Sequence, residues 1–264
     1  MIRSMYSGIS GLKNFQTKLD VIGNNISNVN TYGFKKGRTI FKDLISQTTS
    51  GASAPTLTRG GVNAKQVGLG SQLASIDTIQ TGGSLQSTGN TLDLAISGDG
   101  FFQLIEKNGT DISYTRAGNF YMDSNGDLIN SDGLYVSGVN TPINIPTSAQ
   151  SMSIGQDGTV TYVSDTGALT TAGQIQIAKF PNSGGLTKAG SNYFKVSPSS
   201  GIPASGNPLV AGRGSINSGF LEMSNVDLSE EFTDMIVAQR GFQANTRIIT
   251  TSDSILEELI NLKR

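Results

Sequence analysis

The sequence predicts an α+β protein, with helices at both ends and a central antiparallel β domain, sandwich or small barrel, between them. Three observations carry this. Apolar residues recur at helical spacing over about residues 1–30 and again over 227–264. Between those stretches the apolar runs are short and separated by turn dipeptides. The 33 glycines, with Ser, Thr and Asn abundant around them, suit turn-rich β structure better than a helical bundle. The expected organisation is a terminal-helix unit from 1–35 and 226–264 forming a coiled-coil-like layer, an irregular linker over 36–75, and a β-rich domain over 76–225.

In the first helix Ile2, Met5, Ile9, Leu12, Phe15, Leu19, Ile22, Ile26 and Val29 step by three or four residues and so keep one face. The step from Leu12 to Phe15 is a stammer-like irregularity. Gly8, Gly11 and Gly23 each lower helix stability by up to ~1 kcal/mol relative to Ala, so this helix needs a partner to form fully. After it, 36–75 has loop composition: a Ser/Thr/Gly run from Ser46 to Pro55, then Gly60-Gly61.

Strands are expected near 92–97, 101–106, 112–116, 119–122, 127–130, 134–137, 151–154, 159–163, 173–180 and 193–196. Asn108-Gly109, Asn125-Gly126, Asp132-Gly133, Asp157-Gly158 and Asp165-Thr166-Gly167 supply the turns. A second Gly/Pro/Ser stretch, 181–217, leads back to the last helix. There Leu228, Met235, Phe242, Ile249 and Leu256 recur every seven residues, with Phe232 and Ile260 beside them. Ile248, Ile255 and Leu262 form a second stripe, roughly 100° around the helix. Asp227 with Glu230 reads as a capping box. Glu230, Glu231 and Asp234 at the start and Lys263-Arg264 at the end suit the helix dipole. Two readings stay open: the helices pair within one chain or cover the β core, or they pair with other copies. Two stripes argue for more than one neighbour.

Charged residues make up 15% of the chain and the net charge is −1, which offers no electrostatic case for nucleic acid or an anionic membrane. Without Cys or His, disulfides, thiolate metal sites and the usual general base are missing, so catalysis, cofactor and metal binding are not expected. No run approaches the ~20 apolar residues of a membrane span, and no cleavable signal is visible from Met1 to Gly8.

The short motifs read as structure. Asp123-Ser124-Asn125-Gly126-Asp127 resembles the start of a Ca²⁺ loop but lacks its later Gly and Glu, so a hairpin turn is expected. Gly98-Asp99-Gly100 reads as a tight turn, and Ser7-Gly8-Ile9-Ser10-Gly11 has no His to activate a serine. Tyr114, Phe120 and Tyr121 beside Arg116 read as a partly exposed β surface. Lys35-Lys36-Gly37-Arg38 reads as a solvated or interface turn. A carboxylate-based hydrolase and a surface carbohydrate-binding β module are the competing readings; the first needs two close carboxylates, which sequence spacing does not show, and the second leaves the terminal helices without a purpose.

The run Leu19 to Lys35 (LDVIGNNISNVNTYGFK) resembles the N-terminal signature of the bacterial flagellar hook and basal-body rod protein family. Leu92 to Phe102 (LDLAISGDGFF) and Tyr114 to Phe120 (YTRAGNF) resemble its first β strands. Ser224 to Asp227 (SNVD) and Met235 to Asn245 (MIVAQRGFQAN) resemble its closing helix. The resemblance covers the chain in order, most weakly over 140–215.

It implies a structural subunit of a tubular axial assembly, with terminal helices forming an inner tube and β domains an outer layer. The implied partners are further copies of itself, adjacent rod, hook and junction proteins, a hook or rod cap protein, and the flagellar type III export apparatus, which needs no cleaved signal. The implied location is the hook or basal body of the flagellum, without membrane insertion. The candidate assembly interface is Ile9, Leu12, Leu19, Ile22, Asn24, Asn25, Ile26 and Asn28 on the first helix, with Leu228, Phe232, Met235, Gln239, Phe242, Ile249 and Leu256 on the last. Chain length and the stretch 48–66 point to the distal rod. Gln66 to Gly70, Ile236 to Gln243 and the ending Leu259 to Arg264 read closer to hook proteins, and on balance favour a short hook subunit.

Overall fold

A computed structural model describes residues 2–56, 58–106, 111–139 and 142–262. The chain divides into two compact units. The first holds residues 1–27, 37–78 and 227–264; the second holds 28–36 and 79–226.

In the first unit, α1 (Ile2–Ser27) and α2 (Leu228–Asn261) pack against each other. Asp227 Oδ1 accepts the backbone N–H of Ser229 and of Glu230, which satisfies two of the donors left open at a helix start. The expected contribution of Lys263-Arg264 at the other end lies outside the described residues.

The segment expected to be irregular is instead built of strands: β1 (Gly37–Asp43), β2 (Ser46–Ser50), β3 (Lys65–Gly68) and β4 (Ser71–Thr78). β1 pairs antiparallel with β4, from Gly37↔Thr78 to Asp43↔Ser71, with a bulge between Ile40 and Phe41. One face of this ladder packs on α1 through Phe15 against Phe41 and through Asn14 Nδ2 donating to Ser71 Oγ at 2.8 Å. The nested ladder β2–β3 is exposed throughout. Local composition misses these strands because the partners of β1 lie some 30 residues away, and pairing at that distance leaves no periodic signature.

Apart from one 3-10 turn at Ser183–Gly185, the regular structure described in the second unit is β. Its strands are β5 (Leu85–Ser87), β6 (Leu94–Ser97), β7 (Phe101–Ile105), β8 (Ile112–Thr115), β9 (Tyr121–Met122), β10 (Leu128–Ile129), β11 (Tyr135–Val136) and β12 (Ser151–Ile154). They continue with β13 (Thr159–Val163), β14 (Leu169–Gln174), β15 (Ile177–Lys179), β16 (Thr187–Gly190), β17 (Tyr193–Lys195), β18 (Ala204–Gly206), β19 (Ser215–Ser218) and β20 (Phe220–Glu222). Every strand placed from the sequence is present. The run 173–180 is divided between β14 and β15, and the return stretch 181–217 contains four strands.

β7 is the spine. One edge pairs with β8; the other is shared between β15 near Phe101 and Phe102 and β11 near Leu104 and Ile105. Successive side chains on a strand point to opposite faces. Phe102 and Leu104 therefore enter the main core with Leu94, Phe120, Leu128 and Val136, while Phe101 enters a second core with Tyr114, Phe180 and Phe194. A strand covered on both faces reads as a continuous apolar run, as Phe101-Phe102 opening β7 does. β12, β13 and β14 form a separate meander, and among the described residues no sheet closes into a barrel.

Asn125-Gly126, Asp132-Gly133, Asp157-Gly158 and Asp165-Thr166-Gly167 sit at the hairpin connections expected of them. Asn108-Gly109 lies outside the described residues. Gly126 has φ +84°, and a Cβ there would fall 1.9 Å from the Ile145 carbonyl oxygen. Only glycine combines that backbone with that proximity, so the Asp123–Asp127 run is a turn. Tyr114, Arg116 and Phe120 are buried rather than forming an exposed aromatic surface; of that group only Tyr121 faces solvent.

Candidate assembly interface

The two helices run antiparallel, with the start of α1 beside the end of α2. Gly8 faces Ile249, Gly11 faces Asn245 and Gly241 faces Phe15. Lys18 Nζ lies 3.3 Å from Asp234 Oδ1, and Asn25 Nδ2 donates to Glu231 Oε2 at 3.1 Å. Of the glycines that weaken the first helix, Gly8 and Gly11 face α2, whereas Gly23 has open space beside it. A Cβ on Gly241 would stand 2.5 Å from the Phe15 ring.

The seam on α2 has two halves. Met235, Phe242, Ile249 and Leu256 are half-buried and form the apolar half. Glu231, Ala238 and Ser252 are buried and, with Asn245, form a second heptad stripe of small and polar residues. Sequence reasoning found the first half and missed the second. Its signal was a seven-residue spacing of side chains too small or too polar for an apolar scan.

On α1, Ile22 is buried and Leu12, Leu19 and Ile26 are half-buried; Asn28, expected on this helix, is a half-buried turn residue just past its end. Asn24 faces solvent. Asn25 is committed within the chain: its Oδ1 accepts Gly37 N–H and its Nδ2 also donates to Gly37 O, both at 2.9 Å. Ile9, Leu228, Phe232 and Gln239 are exposed. The second stripe, Ile248, Ile255 and Leu262, is exposed too, and Val237 and Leu259 extend it; Ile236 and Ile260 are exposed on other faces of the helix. Fully burying one such side chain contributes ~1.5–3 kcal/mol. Contiguous exposed apolar patches are a common feature of protein–protein contact surfaces.

In the β unit, three charged side chains meet in the interior, none more than 3% exposed. Lys35 Nζ lies 2.5 Å from Glu222 Oε1 and donates to Thr81 O at 2.8 Å. Arg116 Nη1 lies 3.3 Å from Glu222 Oε2, its Nη2 donates to Gly98 O at 2.8 Å, and its guanidinium stands over the Phe101 ring. Burial pushes the Lys35 ammonium below its usual range; Glu222 opposes that shift and Arg116 adds to it. The expectation of a solvated or interface turn over Lys35–Arg38 is thus corrected at Lys35, while Arg38 is exposed. Phe34 and Lys35 fold inward, and Gly33, at φ +69°, donates its N–H to Glu222 O.

The match to known proteins follows the same geography. Residues 5–35 match the model of the flagella basal body rod protein. Residues 95–162 match the flagellar hook protein FlgE/F/G D1 domain, and 217–262 match the flagellar basal body rod FlgEFG protein C-terminal region. Each matched region supplies one member of the buried ion cluster.

Over 266 positions the chain is 60% identical to the flagellar basal-body rod protein FlgG of Bacillus subtilis (strain 168), covering all of both chains. It is 42% identical over 271 positions to the FlgG of Borreliella burgdorferi, again covering both in full. To that organism's flagellar hook protein FlgE it is 32% identical, with all of both chains aligned over 443 positions. The hook protein therefore carries a long stretch with no counterpart here. These identities weigh toward the rod alternative and against the short hook subunit that the sequence blocks favoured. By whole-length identity and by the regions matched at both ends and in the middle, the chain belongs to the flagellar hook and basal-body rod family, whose members are structural subunits of the bacterial flagellum and not enzymes.

Proposed function

We propose that this chain is the distal rod subunit of the flagellar basal body, polymerising into the drive shaft between motor and hook. The reading is carried by the 60% identity to a rod protein over 266 positions, without the long extra stretch of the aligned hook protein. The sequence resemblances near Gln66 to Gly70 and at the chain's end, which favoured the hook, weigh less than identity over the whole length.

In this reading the helix pair is the inner-tube element and the β unit the outer one. Ile9, Leu228, Phe232, Gln239 and Asn24 are the members of the candidate interface that lie exposed, where neighbouring copies would meet them. The exposed stripe through Ile248 and Ile255 supplies a second contact face. Leu12, Leu19, Ile22, Ile26, Asn28, Met235, Phe242, Ile249 and Leu256 shape that surface from beneath, through the pairing of the helices. Adjacent rod and hook proteins, a cap at the growing tip and delivery through the flagellar type III export apparatus belong to the same reading.

Two outcomes separate rod from hook. A strain lacking this chain should stop assembly before the distal rod, and purified polymer should be straight under the electron microscope. Complete rods without hooks, together with curved polymer, would restore the hook reading.

A further inference from the structure

Two ends of the chain meet in the ion cluster. Lys35 follows α1, Arg116 lies mid-chain, and Glu222 ends β20, the last strand of the β unit. The recorded ion pairs of Lys35 and of Arg116 both go to Glu222, so two buried cations share one carboxylate. Glu222 Oε1 also accepts the Gly83 N–H at 3.0 Å. Three residues on, Asn225 holds the neighbouring segments: its Oδ1 accepts Lys36 N–H at 2.8 Å, and its Nδ2 donates to Ile79 O at 2.9 Å and to Thr81 Oγ1 at 3.0 Å.

We infer that Glu222 is a closing lock: the β unit completes its fold only when the segment 220–226, which follows all its other strands, delivers the carboxylate that Lys35 and Arg116 require. Without that segment, Lys35 and Arg116 would have to be buried with no counter-ion. An unpaired buried charge costs far more than the pair contributes. The two cations therefore oppose closure of an incomplete chain, and the last strand reverses the balance. A subunit threaded as an extended chain through a channel would gain a barrier to premature folding. That use rests on the export reading above; the lock itself does not.

The test is urea unfolding of the full chain combined with peptide-resolved hydrogen exchange. Glu222→Gln should lower the folding equilibrium constant by on the order of 100- to 1,000-fold, because it strands both cations. Exchange should rise together over 28–36, 79–84, β6 to β8 and 220–226. A rise confined to 220–226, or a change in the constant of less than about threefold, overturns the lock. If Glu222→Gln does not fold, Lys35→Met/Glu222→Gln decides. With one stranded cation removed, the double variant should regain protection across β6 to β8, and equal unfolding of both variants overturns the lock. Neither readout involves the flagellum, so failure of the rod reading and failure of the lock are distinguishable.

Discussion

Tyr193 is a built-in reporter of the β unit. Its hydroxyl donates to Asp132 and accepts from Asn130 Nδ2, tying β17 to the turn between β10 and β11. Burial, the hydrogen bond to Asp132 and that carboxylate's charge push its phenol up to about 12, against a smaller opposing effect of Asn130. A phenol whose folded pKa exceeds its unfolded value of about 10 leaves stability unchanged below about pH 10. Between pH 10 and about 12 the unfolded chain releases the proton first, so stability falls as pH rises. Spectrophotometric titration should show a late tyrosinate step that is missing in Tyr193→Phe. If the step persists in that variant, it belongs to another tyrosine, for example the buried Tyr114, whose phenol burial also pushes up.

At the scale of elements, the pairing of α1 and α2 rests on side chains seated against glycines as well as on apolar area. Gly241→Val would drive a branched side chain into the Phe15 ring, at a site where even a Cβ stands 2.5 Å away. Overpacking of this kind costs typically ~1–3 kcal/mol, so the helices should separate. Phe242→Ala removes half-buried area from the apolar half of the seam and should cost less than the ~3–5 kcal/mol of a fully buried Phe. Both variants should lose helical circular dichroism on mild warming and fail to sediment as polymer, while the β signal is retained. Normal polymerisation of both would mean that pairing of the helices is not needed for assembly.

Across the whole molecule, burial is unevenly shared. The β unit holds nearly all of the fully buried large apolar side chains, whereas in the helical unit Ile22 and Ala238 stand almost alone. Hydrophobic stabilisation scales with buried apolar area, so the two units should not melt together. Heating the monomer should give an early loss of helical signal and a later loss of β signal. Polymerisation should raise the first transition and leave the second nearly unchanged, because partners that bind only the folded helices stabilise them by mass action. A single coincident transition would show instead that the units unfold as one.

Much of this protein is determined by sequence alone. The helical periods of α1 and α2, the Asp227 cap and the strands between Leu94 and Lys195 depend on side chains a few residues apart, and local pattern registers such spacings. The family was legible because its blocks are long. Three things were decided only by tertiary structure. β1 and β4 pair across an intervening hairpin, and neither strand alternates cleanly enough to declare itself. The small and polar half of the α2 seam, Glu231, Ala238, Asn245 and Ser252, becomes meaningful only once α1 brings Gly8 and Gly11 to Asn245 and Asn25 to Glu231. In isolation Lys35 reads as part of a solvated or interface turn, Arg116 as part of a partly exposed β surface, and Glu222 does not stand out at all. A charge tolerates burial only when its counter-ion arrives from elsewhere in the fold, and no window around Lys35 contains Glu222, 187 residues away.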